Sequence, residues 1–98
     1  MDFDFTATVW LWDGPAAWHF ITVPPGESEA IRSVGDRMAR GFGSVRVCAS
    51  IGTTRWETSV FPQKSDGTYV LPLKKQVRTA EGITIGDEVD VHLEVLDS

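Results

Sequence analysis

The chain is poor in cysteine and histidine, and it has no long apolar run. Its single cysteine, Cys48, excludes an intramolecular disulfide and is compatible with a reducing compartment. The two histidines, His19 and His92, stand far apart, and no Cys/His spacing matches a zinc site. No apolar stretch approaches the ~18 residues that a membrane-spanning helix needs. The N-terminus is acidic and lacks the positively charged, apolar pattern of an export signal, so the expected location is the cytoplasm and no membrane partner is expected. Repeats, low-complexity tracts and linkers are also lacking. The 98 residues therefore read as one domain, 1–98. A chain of this size buries roughly 60–68% of its unfolded surface, enough for one modest core.

Basic residues are missing from both flanks. All nine Lys and Arg lie between Arg32 and Arg78, where only Asp36, Glu57 and Asp66 oppose them, so that segment carries +6. The flanks hold the other eleven acids, −11, and the net charge is −5. Two readings are open. Acidic outer strands beside basic inner ones would largely cancel, whereas a basic patch would attract an anionic partner.

What is present is strand pattern. Val45, Val47, Ala49 and Ile51 alternate with Ser44, Arg46, Cys48 and Ser50, the period of a strand with one buried face. Thr54 to Phe61 forms the second arm. Gly52-Thr53 suits a two-residue II′ turn, with a longer loop through Thr54 as the alternative. The short turn pairs Ile51 with Thr54, Ala49 with Trp56, Val47 with Thr58 and Val45 with Val60, apolar face inward. It sets Arg46 opposite Ser59 and Cys48 opposite Glu57, with Arg46 and Glu57 diagonal neighbours. A slip of one residue would turn the apolar row outward.

Around this hairpin the chain reads in order. Residues 3–12 form a strand with Phe3, Phe5, Ala7, Val9 and Leu11 inward. Trp10 and Trp12 fall on the polar face, either covered or exposed as a contact surface for a partner. After the Asp13-Gly14-Pro15 turn, residues 18–23 form a strand in hairpin with the first, ended by Pro24-Pro25-Gly26. Residues 28–39 read as a helix with Ser28 as N-cap and Ile31, Val34 and Met38 on one stripe, stopped by Gly41. Thr68 to Leu73 is a strand in which Pro72 signals a bulge or an unpaired edge. Residues 74–81 read as a short helix with Val77 and Ala80 inward and Gly82 beyond its end. Residues 88–96 close the chain as a strand with Val89, Val91, Leu93 and Val95 inward. The fold class expected is mainly β: a small closed or double-split β-barrel of six to seven strands with one amphipathic helix and one short helix.

These pieces carry a resemblance. Trp18-His19-Phe20, Gly41 to Val47, Ile51-Gly52 with Trp56, Thr58 to Pro62, Gly67 to Lys74, Val77-Arg78 and Gly82-Ile83 through Gly86-Asp87 match a known pattern. The sequence resembles a family of small bacterial domains of unknown function often found beside a bacteriocin-protection (YdeI/OmpD-associated) domain. The resemblance implies a double-split β-barrel and no established activity. The extra domain is lacking, so the chain is expected to act alone or with a partner. Gly67 to Val91 also resembles the swapped-hairpin fold of AbrB- and MazE-like DNA-binding regulators, which implies a DNA-binding alternative.

Candidate chemistry is sparse. Arg40 to Val47 is close to the RNA-binding octamer of the RRM domain, but Ser44 and Val47 replace its aromatic residues. It reads as a helix stop and a strand entry. Gly41-Phe42-Gly43 follows a helix and enters a strand, the reverse of a phosphate loop. Strand alternation puts His92 outward beside acids, and a Cys48–His19 nucleophile–base pair has no local support. No cofactor is expected, and the balance lies against an enzyme. The residues proposed for a ligand are Arg46, Ser59, Lys74 and Arg78. The first two face each other on the polar side of the hairpin, and the last two are i and i+4 on one helix face. Convergence of three cations and a hydroxyl would hold a carboxylate or a phosphate. The alternative is that Arg46 pairs with Glu57 and the helix cations are solvated. The function expected is thus a non-catalytic binding module for a small anionic or polar ligand, as monomer or homodimer. DNA binding and a protein-partner role are the alternatives.

Overall fold

Period-two patterning and two helical stretches become eight elements in a computed structural model that describes residues 1–14, 17–38 and 43–96. They are β1 (Asp2–Trp12), β2 (Trp18–Thr22), α1 (Pro25–Met38), β3 (Val45–Ile51), β4 (Thr54–Pro62), β5 (Tyr69–Pro72), α2 (Lys75–Glu81) and β6 (Glu88–Val95). All strand pairs are antiparallel, and the order β1-β2-β5-β4-β3-β6 closes on itself. Of the two forms expected, the described residues make a closed barrel of six strands. β1 and β4 are each shared between two halves of the ring: β1 pairs with β6 through Asp2–Thr8 and with β2 through Val9–Trp12, and β4 pairs with β3 through Thr54–Val60 and with β5 through Phe61 and Pro62.

The central hairpin has the register read from its sequence. Arg46 pairs with Ser59, Val47 with Thr58, Cys48 with Glu57, Ala49 with Trp56 and Ile51 with Thr54. Gly52 has φ +58° while Thr53 has no positive φ, the combination of a II′ turn rather than I′. Val45, Val47, Ala49, Trp56 and Val60 are buried, and they join Ile21, Leu71 and Leu93 in the core.

The helices cover opposite ends of the barrel. β2 and β5 run antiparallel, with Thr22 opposite Val70 and Phe20 opposite Pro72. α1 follows the end of β2 and is tied to the start of β5; α2 follows the end of β5 beside the start of β2. α1 begins at Pro25, three residues before the expected cap, because proline fits the first helical position, where no N–H is needed. Ser28 is thus inside the helix and only 1% exposed. Its hydroxyl donates to the Val23 carbonyl at 2.9 Å and accepts from the Tyr69 N–H at 3.0 Å, pinning α1 to both strands. The Arg32 guanidinium, over the Tyr69 ring, also donates to the Gly67 carbonyl. The expected stop at Gly41 and the first residues of the RRM-like octamer lie outside the described residues.

At the other end, Glu81 ties α2 to the hairpin turn by accepting from Thr54 Oγ1 at 2.5 Å. Gly82, at φ 64°, ends the helix as expected, and its N–H donates to the Arg78 carbonyl. Two expectations are corrected. Ala80 is exposed, and Val77 is the buried residue of α2. Leu11 is 38% exposed, since β1 runs past the barrel rim. Of the two expectations for Pro72, the unpaired edge is found: it pairs with Phe20 on one side, and on the other the β4 ladder has already stopped at Val70.

The loop before β5 contains a titrating clamp. Asp66 Oδ1 accepts from the Thr68 hydroxyl at 2.7 Å and from the Thr68 N–H at 3.0 Å. These bonds hold the carboxyl below its ordinary value of 3.8, since they favour the ionised form. A depressed folded-state value gives stability that is complete above the unfolded value and is lost as pH falls through the folded one. The difference in melting temperature between wild type and Asp66→Asn should therefore be constant near neutrality and shrink only below about pH 4. A difference that already shrinks between pH 7 and 5 would show that the clamp does not titrate as described.

Candidate functional site

A cavity lies between α2, β4 and the start of β2. It measures about 400 Å³ and is lined by Ala17, Trp18 and His19 from the start of β2, by Trp56, Glu57 and Thr58 from β4, and by Pro72, Leu73, Lys74 and Arg78 from the β5–α2 corner. That volume lies within the range of small-ligand pockets.

The corner places its cations. The Leu73 N–H donates to the His19 carbonyl at 2.9 Å, continuing the β2–β5 ladder past Pro72. Lys74 is extended, φ −72° and ψ 159°, and stands at the N-cap of α2. Its carbonyl accepts from the Val77 and Arg78 N–H groups, both at 3.1 Å, so the helix turns at once. Arg78, one turn on, is half-buried. Its Nε donates to the Leu73 carbonyl at 3.2 Å and its Nη1 lies 3.4 Å from His19 Nε2. Arginine only donates, so His19 Nε2 is the acceptor. Among the described residues these contacts use two of five donors, and the guanidinium is held with donors to spare. Lys74 is exposed and has no described side-chain partner.

The four residues expected to converge are divided. Lys74 and Arg78 line the cavity together. Arg46 and Ser59 lie outside the hairpin and are not among its lining residues; Arg46 Nη1 is 3.5 Å from Ser59 Oγ and its Nη2 is 3.5 Å from Glu57. Glu57 links the two groups, because it lines the cavity and is paired by Arg46. Such an exposed pair is worth only about 0–1 kcal/mol, but it offsets the one acid at the cavity rim.

Sequence reasoning missed Trp18, His19, Trp56 and Thr58 as lining residues. The available signal was His19 itself: it shares the inward face of β2 with Ile21, and an imidazole on that face at a strand start belongs at a barrel mouth.

The chain was compared with known proteins. The model of a domain of unknown function, DUF1905, matches residues 5–93. The chain belongs to the DUF1905 family. Comparison of this DUF1905 chain with the curated proteins gave no match.

Cys48 is buried, and Arg55 Nε donates to its sulfur at 3.0 Å. That contact, with Glu94 at 3.4 Å adding to it, raises the Arg55 guanidinium above its ordinary value. His19 and Cys48 thus have separate described partners, and no contact joins them. His92 lies outward as expected, with Nδ1 2.8 Å from Asp4 and Nε2 3.7 Å from Asp2. Among the described residues no group of three or more His, Cys, Asp or Glu is arranged to hold a metal ion. None of their helices is long and apolar enough to cross a membrane.

The outer face of β1 and β2 is aromatic. Trp12 sits opposite Trp18, and Trp10 opposite Phe20. Trp10 is half-buried with its Nε1 donating to Thr22 at 2.8 Å, whereas Trp12 is 46% exposed. Trp18, 50% exposed, stacks on Phe20 at 6.1 Å with ring planes 8° apart.

Proposed function

We propose that this DUF1905 domain is a non-catalytic binding module whose cavity under α2 takes a small anionic or polar ligand in the cytoplasm. The observation that carries the reading is Arg78, fixed by Leu73 and His19 on the cavity wall beside Lys74, which has no side-chain partner among the described residues. Arg46, whose Nη1 donates to Ser59, serves the same site indirectly by pairing with the Glu57 carboxylate. The single cysteine fits a reducing compartment.

Isothermal titration with inorganic phosphate and with acetate tests this. A hydrogen bond to a charged group contributes about 1.5–3 kcal/mol, so Arg78→Gln should lower anion affinity roughly 10- to 100-fold. Arg46→Ala should lower it less, because it releases the Glu57 charge at the rim. Wild-type protein that binds neither anion would remove the reading.

A second reading is DNA binding in the manner of AbrB-like regulators, favoured by Lys74 at the N-cap of α2, Lys75 at its start and Arg78 in its last turn. It predicts a mobility shift that weakens steeply with salt. The net charge of −5 opposes it. A protein-partner role has its support in the exposed Trp12 and Trp18.

A further inference from the structure

The cavity has a feature that a simple anion would not use. Trp18 lines it together with Lys74 and Arg78. The Trp18 indole lies parallel to the Phe20 ring, 8° apart with centroids 6.1 Å apart. Half of the residue is exposed, so indole surface is left open beside the cavity it lines. The stack is held from behind, since Phe20 also packs against Trp10 at 5.2 Å and Trp10 is hydrogen-bonded to Thr22. This gives a run of three neighbouring aromatic rings whose last member lines the cavity beside Lys74 and Arg78. Ala17, just before Trp18, has φ +49°, the left-handed region that costs a non-glycine residue about 1–2 kcal/mol. Backbone strain of this kind persists where the surroundings impose an orientation.

We propose that the ligand is a planar aromatic anion, a heteroaromatic ring bearing a phosphate or carboxylate group. The ring extends the Phe20–Trp18 stack, and the anionic group lies on Arg78 and Lys74. The proposal rests on the anion-binding reading above and names its ligand class. It also gives Trp18 a role that a carboxylate or phosphate alone would leave empty. Stacking tolerates any ring with a π-face, so the aromatic part sets affinity more than identity.

The test uses AMP, indole-3-acetate, adenosine and inorganic phosphate as probes, with the full chain and intrinsic tryptophan fluorescence beside calorimetry. AMP or indole-3-acetate should bind roughly 10- to 100-fold more tightly than phosphate and quench Trp emission. Preference between those two separates a phosphate-bearing from a carboxylate-bearing ligand. Trp18→Leu should bring the aromatic anion down to the affinity that the same variant shows for phosphate. Trp18 is exposed, so its melting temperature should stay near wild type. Arg78→Gln should weaken the aromatic anions and phosphate alike. Equal affinities for phosphate and both aromatic anions, unaffected by Trp18→Leu, would overturn this proposal while leaving the anion reading intact. Adenosine binding as tightly as AMP would overturn it too, since the charge would then contribute nothing. Failure of every probe would remove both readings.

Discussion

Trp56→Ala should lower the melting temperature by at least about 12 °C. Trp56 is 9% exposed and lies across from Ala49, the small residue that makes room for its indole. Removing a buried tryptophan side chain costs about 3–5 kcal/mol, because the lost apolar burial is joined by the cavity left behind. A domain of this size loses roughly 4–8 °C for each kcal/mol. The void would open directly into the existing space under α2, which Trp56 also lines, so neighbouring side chains have little reason to collapse into it. Trp56→Phe should retain much of the stability. A fall of under 4 °C for the alanine variant, read by calorimetry, would show that the ring does not fill the core at this end.

Ser28→Ala is the second large effect, and it acts through hydrogen bonding rather than volume. Only an oxygen is removed, yet the Tyr69 N–H loses its acceptor and the Val23 carbonyl loses a donor in a site closed to water. A buried group left without a partner costs about 1–3 kcal/mol. Ser33→Ala is the matched control on the same helix: its hydroxyl donates to the Glu29 carbonyl at 3.3 Å on the exposed side, and its loss should stay within about 0.5 kcal/mol. Amide exchange at Tyr69 should accelerate in the first variant and not in the second. Equal destabilisation by the two would mean that Ser28 is not the pin between α1 and β5.

The two residues differ in how visible their roles are in the sequence. Trp56 could be placed to the residue, because period-two alternation and a glycine at the turn fix a hairpin register by local rules. The charge pair of Arg46 with Glu57 followed from the same register. Ser28 reads as a cap because serine before an apolar stripe is the common signal, and Pro25, which in fact starts the helix, reads as a strand stop. The cavity was legible only by halves. Lys74 and Arg78 are local neighbours on one helix, whereas His19 and Trp56 join them only through the order β2-β5-β4, which no periodicity encodes. Leu11 and Ala80 failed for a related reason: alternation and helical phase say which way a side chain points, not whether anything stands there to cover it.

The barrel is sealed by β1 against β6, seven paired positions running from Asp2–Glu94 to Thr8–Glu88. The two strands that meet there are made first and last. Folds dominated by such distant pairings form in milliseconds to seconds, since loop closure precedes its reward. During synthesis at ~5–20 residues per second, the outer margin of β1 stays bare until β6 emerges. Asp2, Asp4 and the polar Thr6 and Thr8 alternate along it, and charge of this kind discourages neighbouring nascent chains from zipping onto a naked strand. The acids of the first strand thus guard the ring before it exists, and replacing them with valine would convert a slow folder into an aggregating one.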